Sequence, residues 1–516
     1  MPAKSTTPKT SKRAVKPDKE TRKFGPVAVR GFAAAQTDRL LAGWQWDGGF
    51  SAQEIRTQLA KIRARSREMA KNNPHMRRFL QLIAVNVVGE GFTLKSTPHD
   101  GTPGSKGWRL DKGAARFIEY HFWRWATGRD PVTGRTYCDA SGVKTLAEIN
   151  QLNAKTWARD GEYFILPVKA NHQYGFALRV IRPDACDETY FREATKNQNP
   201  IYCGREIDRE TGAPIAYYFH TTDVQSGIRN THGQPLVRIP ASMVIHGFTQ
   251  EDEDQPRGIP WGHAALVKLK MIDEFDKAEI TAARDEACSV RQYHAPSDDP
   301  EGFVDLTSSE YSQIAGALVA EKEAGQSEIL PPGWKSEVNT PQHPNREVSA
   351  FKATMIKDVA SGFGVEYSNF ANDWSGVSFS SVRAGTISER DTWVMLQGQM
   401  IAQSQTPIFL MWIKSFLSSP VSGEYPESKI AKFSEHEIRG RRWMWVDPQR
   451  DMNAAKLAVE NGWKTNTDVA SDLGYDYQDN LETIAAEKDA RAELGIAEQS
   501  IAGINPVPIT GEKDED

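Results

Sequence analysis

The chain has 516 residues and a formal net charge of -5, with 39% hydrophobic and 25% charged residues, enough for several domains or one elaborated architecture. No window approaches the roughly 20 uninterrupted apolar residues of a membrane span, and "MPAKSTTPKTSKRAVKPDKETRK" has no apolar centre for a secretory signal, so synthesis in a cytoplasm is expected. The balance also excludes a globally basic nucleic-acid-coating protein, although residues 1–30 carry nine Lys/Arg against two Asp/Glu and residues 447–516 carry sixteen acids against six bases.

Residues 1–29 read as a disordered basic tail, able to meet nucleic acid or an acidic partner but more commonly simply solvated. In "SAQEIRTQLAKIRARSREMAKNN", Ser51 and Glu54 form a capping box, and Ile55, Leu59 and Ile62 recur at helical spacing. Pro74 opens a second helix that Gly89 and Gly91 stop. Arg63, Arg65, Arg67, Arg77 and Arg78 could bind phosphate, but a solvated or subunit-contacting face is the commoner meaning of such a run. Helices continue over 108–165. From there to about 250, "YFILPVK", "FALRVIRP", "PIAYYFHT" and "MVIHGF" are short β-rich runs bounded by turn residues.

After "EDEDQPRGIPWG" a long helix follows, with Ala265, Leu269, Ile272 and Phe275 as its apolar stripe and Lys268, Asp273, Asp276 and Glu279 off it. Another helix is expected over about 346–362. Next comes "NFANDWSGVSFSSVRAG", then a long helix that Pro407 should kink or interrupt. Two or three short helices and an acidic tail end the chain.

Little of this is catalytic. Cys138, Cys186, Cys203 and Cys288 are far apart, so buried free thiols are expected rather than a metal ribbon or a disulfide framework. "GVSFSS" lacks the second glycine of a nucleophile elbow. In "SEHEIRG" position 440 is Gly, so the zinc pair of HExxH fails at His436. "ASGVKT" around Lys144 ends like a phosphate loop but lacks GxxxxGK[ST]. The carboxylates of "DEDQP" and "DGEYF" belong to isolated acidic turns, which mostly face solvent. No enzyme, metal or cofactor is expected.

In their order, "REMAKNNPHMRRFLQLIAVNVVGEGF", "RDGEYFILPV", "VIRPDACD", "ASMVIHGF", "RGIPWGHAALVKLKMIDEFDKAEITAAR", "PPGWKSEVNTPQHPN" and "DVASGFGVEYSNFANDWSGVSFSSVRAG" resemble lambda-type bacteriophage portal proteins, from about Ala35 to Asn480. The resemblance implies an α+β, mainly helical portal fold. Its parts would be a wing (30–260), a stem helix (261–290), a clip (291–344) and a second stem helix (345–365). A tunnel loop (366–381), a long kinked helix completing the wing (382–439) and a helical crown (440–500) would follow, then the acidic tail (501–516).

It also implies a homo-oligomer, usually a dodecamer, at one vertex of the virion capsid, and a conduit for double-stranded DNA during packaging and ejection. The implied protein partners are the terminase large subunit, head-completion and tail adaptor proteins, and the major capsid and scaffold proteins. A terminase subunit or another virion component is the competing reading, but a packaging enzyme needs a phosphate loop or clustered carboxylates for magnesium. Within the loop, Asn369, Asn372, Trp374, Ser375, Gly376 and Ser378 are the candidate DNA-facing residues. Gly376 supplies backbone freedom, Ser378, Ser380 or Ser381 caps the next helix, and Phe370 and Phe379 anchor the ends. Arg383 is equally a DNA contact or a subunit-interface ion pair.

Overall fold

The structure is a computed structural model in which residues 52–221, 235–287, 292–294, 335–337 and 346–494 are described. The basic tail, Ser51 of the expected capping box, most of the clip, Cys288 and the acidic tail lie outside the described residues.

Helix α1 (Ala52–Asn72) buries Ile55, Leu59 and Met69. Asn73 caps α2 (Pro74–Ile83) by accepting the Met76 N–H, and Pro74 occupies the first turn, where a missing N–H is harmless. The helix widens into a π-helical turn, Ala84–Val88, closed at Gly89 with φ +57. Strands β1 (Thr93–Ser96), β2 (His99–Asp100) and β3 (Arg109–Leu110) lead to α3 (Lys112–Thr127), capped by Asp111. Thr145 and Glu148 form a reciprocal capping box on α4 (Leu146–Asp160). Gly161 ends α4 with φ +90, and a side chain there would meet the backbone of Gly258 and Ile259.

Strands β4 (Glu162–Lys169), β5 (Phe176–Ile181) and β10 (Ile245–Phe248) form an antiparallel sheet in the order β10-β4-β5. A second antiparallel sheet runs β6 (Ile201–Tyr202), β7 (Arg205–Ile207), β8 (Pro214–Phe219), β9 (Val237–Pro240). The β-rich stretch is thus two small sheets. The main core lies between the first sheet and the helices, and Trp125, Trp157, Trp393 and Trp412 are all fully buried in it. Trp125 donates its indole N–H to the Phe176 carbonyl at 2.9 Å, so the aromatic is buried without a lost hydrogen bond. Cys138, Cys186 and Cys203 are buried free thiols, and burial pushes them up to about 12, 12 and 11.

Helices α5 (Leu266–Ala287) and α6 (Arg346–Phe363) pack on each other. Ala265, Leu269 and Ile272 are buried, Phe275 meets Phe351 edge-on, and Lys268–Asp358 and Lys352–Asp276 cross-link the pair at 2.7 and 2.8 Å. Between them only β11 (Gln292–His294) and β12 (Lys335–Glu337) are described, paired antiparallel.

The region expected to be one long kinked helix over 382–439 is shorter and more broken. Helix α8 (Phe379–Met400) passes through a second π-helical turn, Ile401–Gln405, into α9 (Thr406–Leu417). The break falls just before Pro407, which has no N–H to give the preceding turn. After Leu417 come 3-10 turns, α10 (Ile430–Phe433) and strand β13 (His436–Arg439), which pairs with β1. The chain then forms α11 (Pro448–Glu460), α12 (Asn466–Asp472) and α13 (Tyr477–Glu493). Residue Ala470 apart, these three helices bury no side chain.

The acidic turn "DGEYF" and the arginine run are also unlike their sequence expectation. Glu162 is fully buried and accepts from Arg63 Nη2 at 2.6 Å, Arg257 Nη2 at 2.5 Å, His246 Nε2 at 3.0 Å and the Gly258 N–H at 3.0 Å. Asp160, also buried, accepts from Arg67 and Arg159, and Arg67 reaches on to Asp184. Arg63 is therefore buried and Arg67, half-buried, is committed to two carboxylates, whereas Arg65 and Arg77 of the same run are exposed. Burial alone would raise the Glu162 carboxyl, but Arg257 and Arg63 outweigh it and hold it well below the usual carboxylate range. The same burial lowers His246 from 6.5 to about 4 against the pull of Glu162.

Candidate nucleic-acid interface

The stretch expected to be a loop over 366–381 is partly helical. Glu366 caps a short helix, α7 (Tyr367–Ala371), by accepting the Asn369 N–H. Asn372, in the left-handed region at φ +54, closes it. Ser378 caps α8 by accepting the Ser381 N–H at 3.2 Å. The free segment is thus about 372–378, half the expected span.

Its anchors differ at the two ends. Phe370 is buried beside Phe363 and His75, whereas the Phe379 side chain is outside the described set. Asn369 lies on α7 and is half-buried. Its Nδ2 donates to Glu389 Oε2 at 2.5 Å, and its carbonyl accepts from Arg78 Nε at 3.1 Å. Glu389 also accepts the Glu366 N–H at 3.1 Å. Burial pushes the Glu389 carboxyl up, partly opposed by these hydrogen bonds. Asn369 thus holds the base of the turn, apart from its exposed tip.

Asn372, Trp374, Ser375, Gly376 and Ser378 are exposed together. Asp373 shapes the tip by accepting from the Ser375 N–H at 3.0 Å, the Ser375 hydroxyl at 2.5 Å and the Tyr367 hydroxyl at 2.9 Å. Those donors, led by the Ser375 hydroxyl, hold the Asp373 carboxyl below its ordinary value. Gly376 has φ +71, with open space where a Cβ would sit. Trp374 remains 48% exposed. Beside the partly exposed Asp373 carboxylate, a short, locally braced turn therefore presents neutral hydrogen-bonding groups and one large aromatic. Such groups can touch phosphates briefly without the counterion-releasing grip of lysines.

Arg383 is committed elsewhere. Its Nη2 donates to Asp451 Oδ1 at 2.5 Å, and Asp447, the cap of α11, lies 3.9 Å away. That ion pair inside the chain joins α8 to the C-terminal helices and leaves the Arg383 side chain 30% exposed. Among the described residues no group of three or more His, Cys, Asp or Glu could hold a metal ion, and no helix is long and apolar enough to cross a membrane.

The family described as "Phage portal protein, lambda family" matches residues 37–397. The chain belongs to that family and is accordingly a phage portal protein. It is 29% identical over 480 residues to the "Probable portal protein" of Halomonas phage phiHAP-1, covering 91% of this chain and 88% of that one. It is 20% identical over 469 residues to "Portal protein B" of Escherichia phage lambda, covering 84% of each. Among solved structures, a chain from the neck of an empty gene transfer agent particle superposes with a TM-score of 0.47 at 14% identity, covering 81% of this chain and 93% of that one.

Proposed function

We propose that copies of this chain, twelve in the usual family arrangement, close into a ring at one capsid vertex of the virion. Double-stranded DNA passes through that ring, independent of sequence, during packaging and ejection. Terminase, adaptor, capsid and scaffold proteins dock on its outside, and ATP hydrolysis belongs to the terminase; the ring itself makes and breaks no bonds.

The observation that carries this reading, beside the family match, is the α5–α6 hairpin. One side of it is buried and cross-linked by ion pairs. Val267, Met271, Ile280 and Phe351 nevertheless stay exposed on the same two helices, which suits a stem whose flanks meet neighbouring stems. Heterologous head-to-tail contacts of that kind close a ring when their rotation closes. In this assignment the wing is 30–260, the stem 261–290 and 345–365 with the clip between them, the tunnel loop the 372–378 turn, and the crown 440–500.

The experiment is to delete three residues from 372–378 and follow assembly and DNA separately. Rings of twelve 57.6 kDa chains, close to 700 kDa, should still form with a central hole in negative stain, while packaged DNA is lost or poorly retained. Loss of the ring would make the turn an interface element. A stable monomer from the unaltered chain would overturn the ring itself.

A further inference from the structure

Asn369 stands between two opposite charges that do not meet. Glu389 of α8 is only 8% exposed, yet among the described residues no cation lies within ion-pair distance of it. Burial, and after it the neighbouring Glu366 carboxylate, push its own carboxyl up. What opposes them is chiefly α7, through the Glu366 N–H on Oε1 at 3.1 Å and Asn369 Nδ2 on Oε2 at 2.5 Å; the Trp393 indole, from α8 itself, adds less.

On α2, Arg78 holds the other side of the same residue. Its Nε donates to the Asn369 carbonyl at 3.1 Å, and among the described residues neither Nη atom meets an acceptor. Arg78, Asn369 and Glu389 line one hollow of about 390 Å³ between α2 and α8. Phe370 is the apolar part of the mount, its ring 5.7 Å from Phe363 of α6 and 5.4 Å from His75 of α2. The base of the exposed turn is thus seated on three helices, with one neutral residue interposed between a cation and a carboxylate.

If α7 draws off, Glu389 loses two donors and Arg78 its acceptor in the same step. Leaving both charges uncompensated in a largely buried place is costly. Both side chains are long, and both already reach the same residue from opposite helices. We propose that Arg78 and Glu389 are positioning residues of the DNA-facing turn and act as a latch with two settings. In the first, each holds Asn369 and the 372–378 turn is seated. In the second, the two pair with each other and α7 is released together with its turn. The direct pair offsets part of the cost of release, so the seat has two discrete arrangements rather than one. Arg390, the next cation along α8, is the competing partner, but it rests over the Trp443 ring at 5.7 Å. The inference rests on the reading of this turn as the tunnel loop and adds what sets its position.

The test is amide hydrogen exchange of residues 366–373 in the full-length protein, with β4 as the internal control of the fold. Asn369→Ala removes the shared amide and should speed exchange in α7 at least tenfold while β4 is unchanged. Adding Arg78→Gln, which keeps a donor for the residue 369 carbonyl but cannot form the ion pair, should slow α7 again at least threefold. A merely structural Arg78 would do the opposite, so a further rise overturns the latch. No change on adding Arg78→Gln overturns it too and makes Arg390 the partner. Phe370→Ala frees α7 by a second route that leaves all the polar groups in place, and the same reversal by Arg78→Gln is expected there. In assembled particles DNA retention should follow the exchange, poor with Asn369→Ala and recovered in the double variant. Exchange that reverses while retention stays constant would uphold the latch and remove the DNA role of the turn. Retention lost on shortening 372–378, with no reversal of exchange, would overturn the latch and leave that role standing.

Discussion

At Glu162 two arginines, a histidine and a carboxylate meet out of reach of water, whereas α11–α13 are tied down by pairs of similar chemistry left partly in solvent. Removing one member of the first cluster strands charges that cannot be hydrated. Removing one member of the second lets water take its place. Charge count is therefore a poor guide to what a pair contributes, and burial decides it. The body of the chain is pinned where β4, β10 and α1 meet. The C-terminal helices are attached through partly solvated ion pairs and almost no buried side chains.

The largest effect should come from Glu162→Ala, which leaves Arg63 and Arg257 buried without their counter-charge. A loss of about 3–5 kcal/mol is expected, read from the urea midpoint; a loss below 1 kcal/mol would erase the contrast.

Next is the pH response of the same cluster. His246 has a lowered folded value, so the unfolded chain binds its proton first, and stability is full above about pH 6.5. It should fall as pH drops from 6.5 toward 4. Glu162, also lowered, extends the loss below the ordinary carboxylate range. Urea titrations across this span should show the slope, and His246→Gln should flatten its upper part.

The smallest effect is expected for Arg383→Ala. It should cost under about 1 kcal/mol and speed amide exchange in α11 while leaving β4 unchanged. Raising salt on the unaltered chain should speed exchange across α11–α13 while sparing β4, because exposed pairs are screened and buried ones are not.

Local signals were legible where a residue acts on its own neighbours. Pro74 begins a helix, Gly89 ends one, Ser378 caps another, and Pro407 marks a break, because each effect operates within a turn or two of backbone. The Glu162 cluster was not, since Arg63 and Arg257 lie 99 and 95 residues from their shared carboxylate. A trace of it was visible: Arg63 follows Ile55 and Leu59 at four-residue steps, on the buried side of the stripe. Arg383 left no such trace, because its partner arrives 68 residues later. At the tip of the turn, polar composition and Gly376 signalled an exposed segment, but not the Asp373 carboxylate that braces it. Helix α7 escaped because five residues between Glu366 and Asn372 carry too little periodicity to register.

The π-helical turn at 401–405 has one more effect. Strand β10 is the outer strand of its sheet, with backbone groups available for another strand to add on. The extra residue in the turn accompanies a Gln403 side chain whose amide accepts the Phe248 N–H at 3.0 Å and donates to the Phe248 carbonyl at 2.9 Å. One carboxamide thus imitates the next strand and closes the sheet at that point, a stopper against strand addition in a protein that must accumulate beside many identical copies.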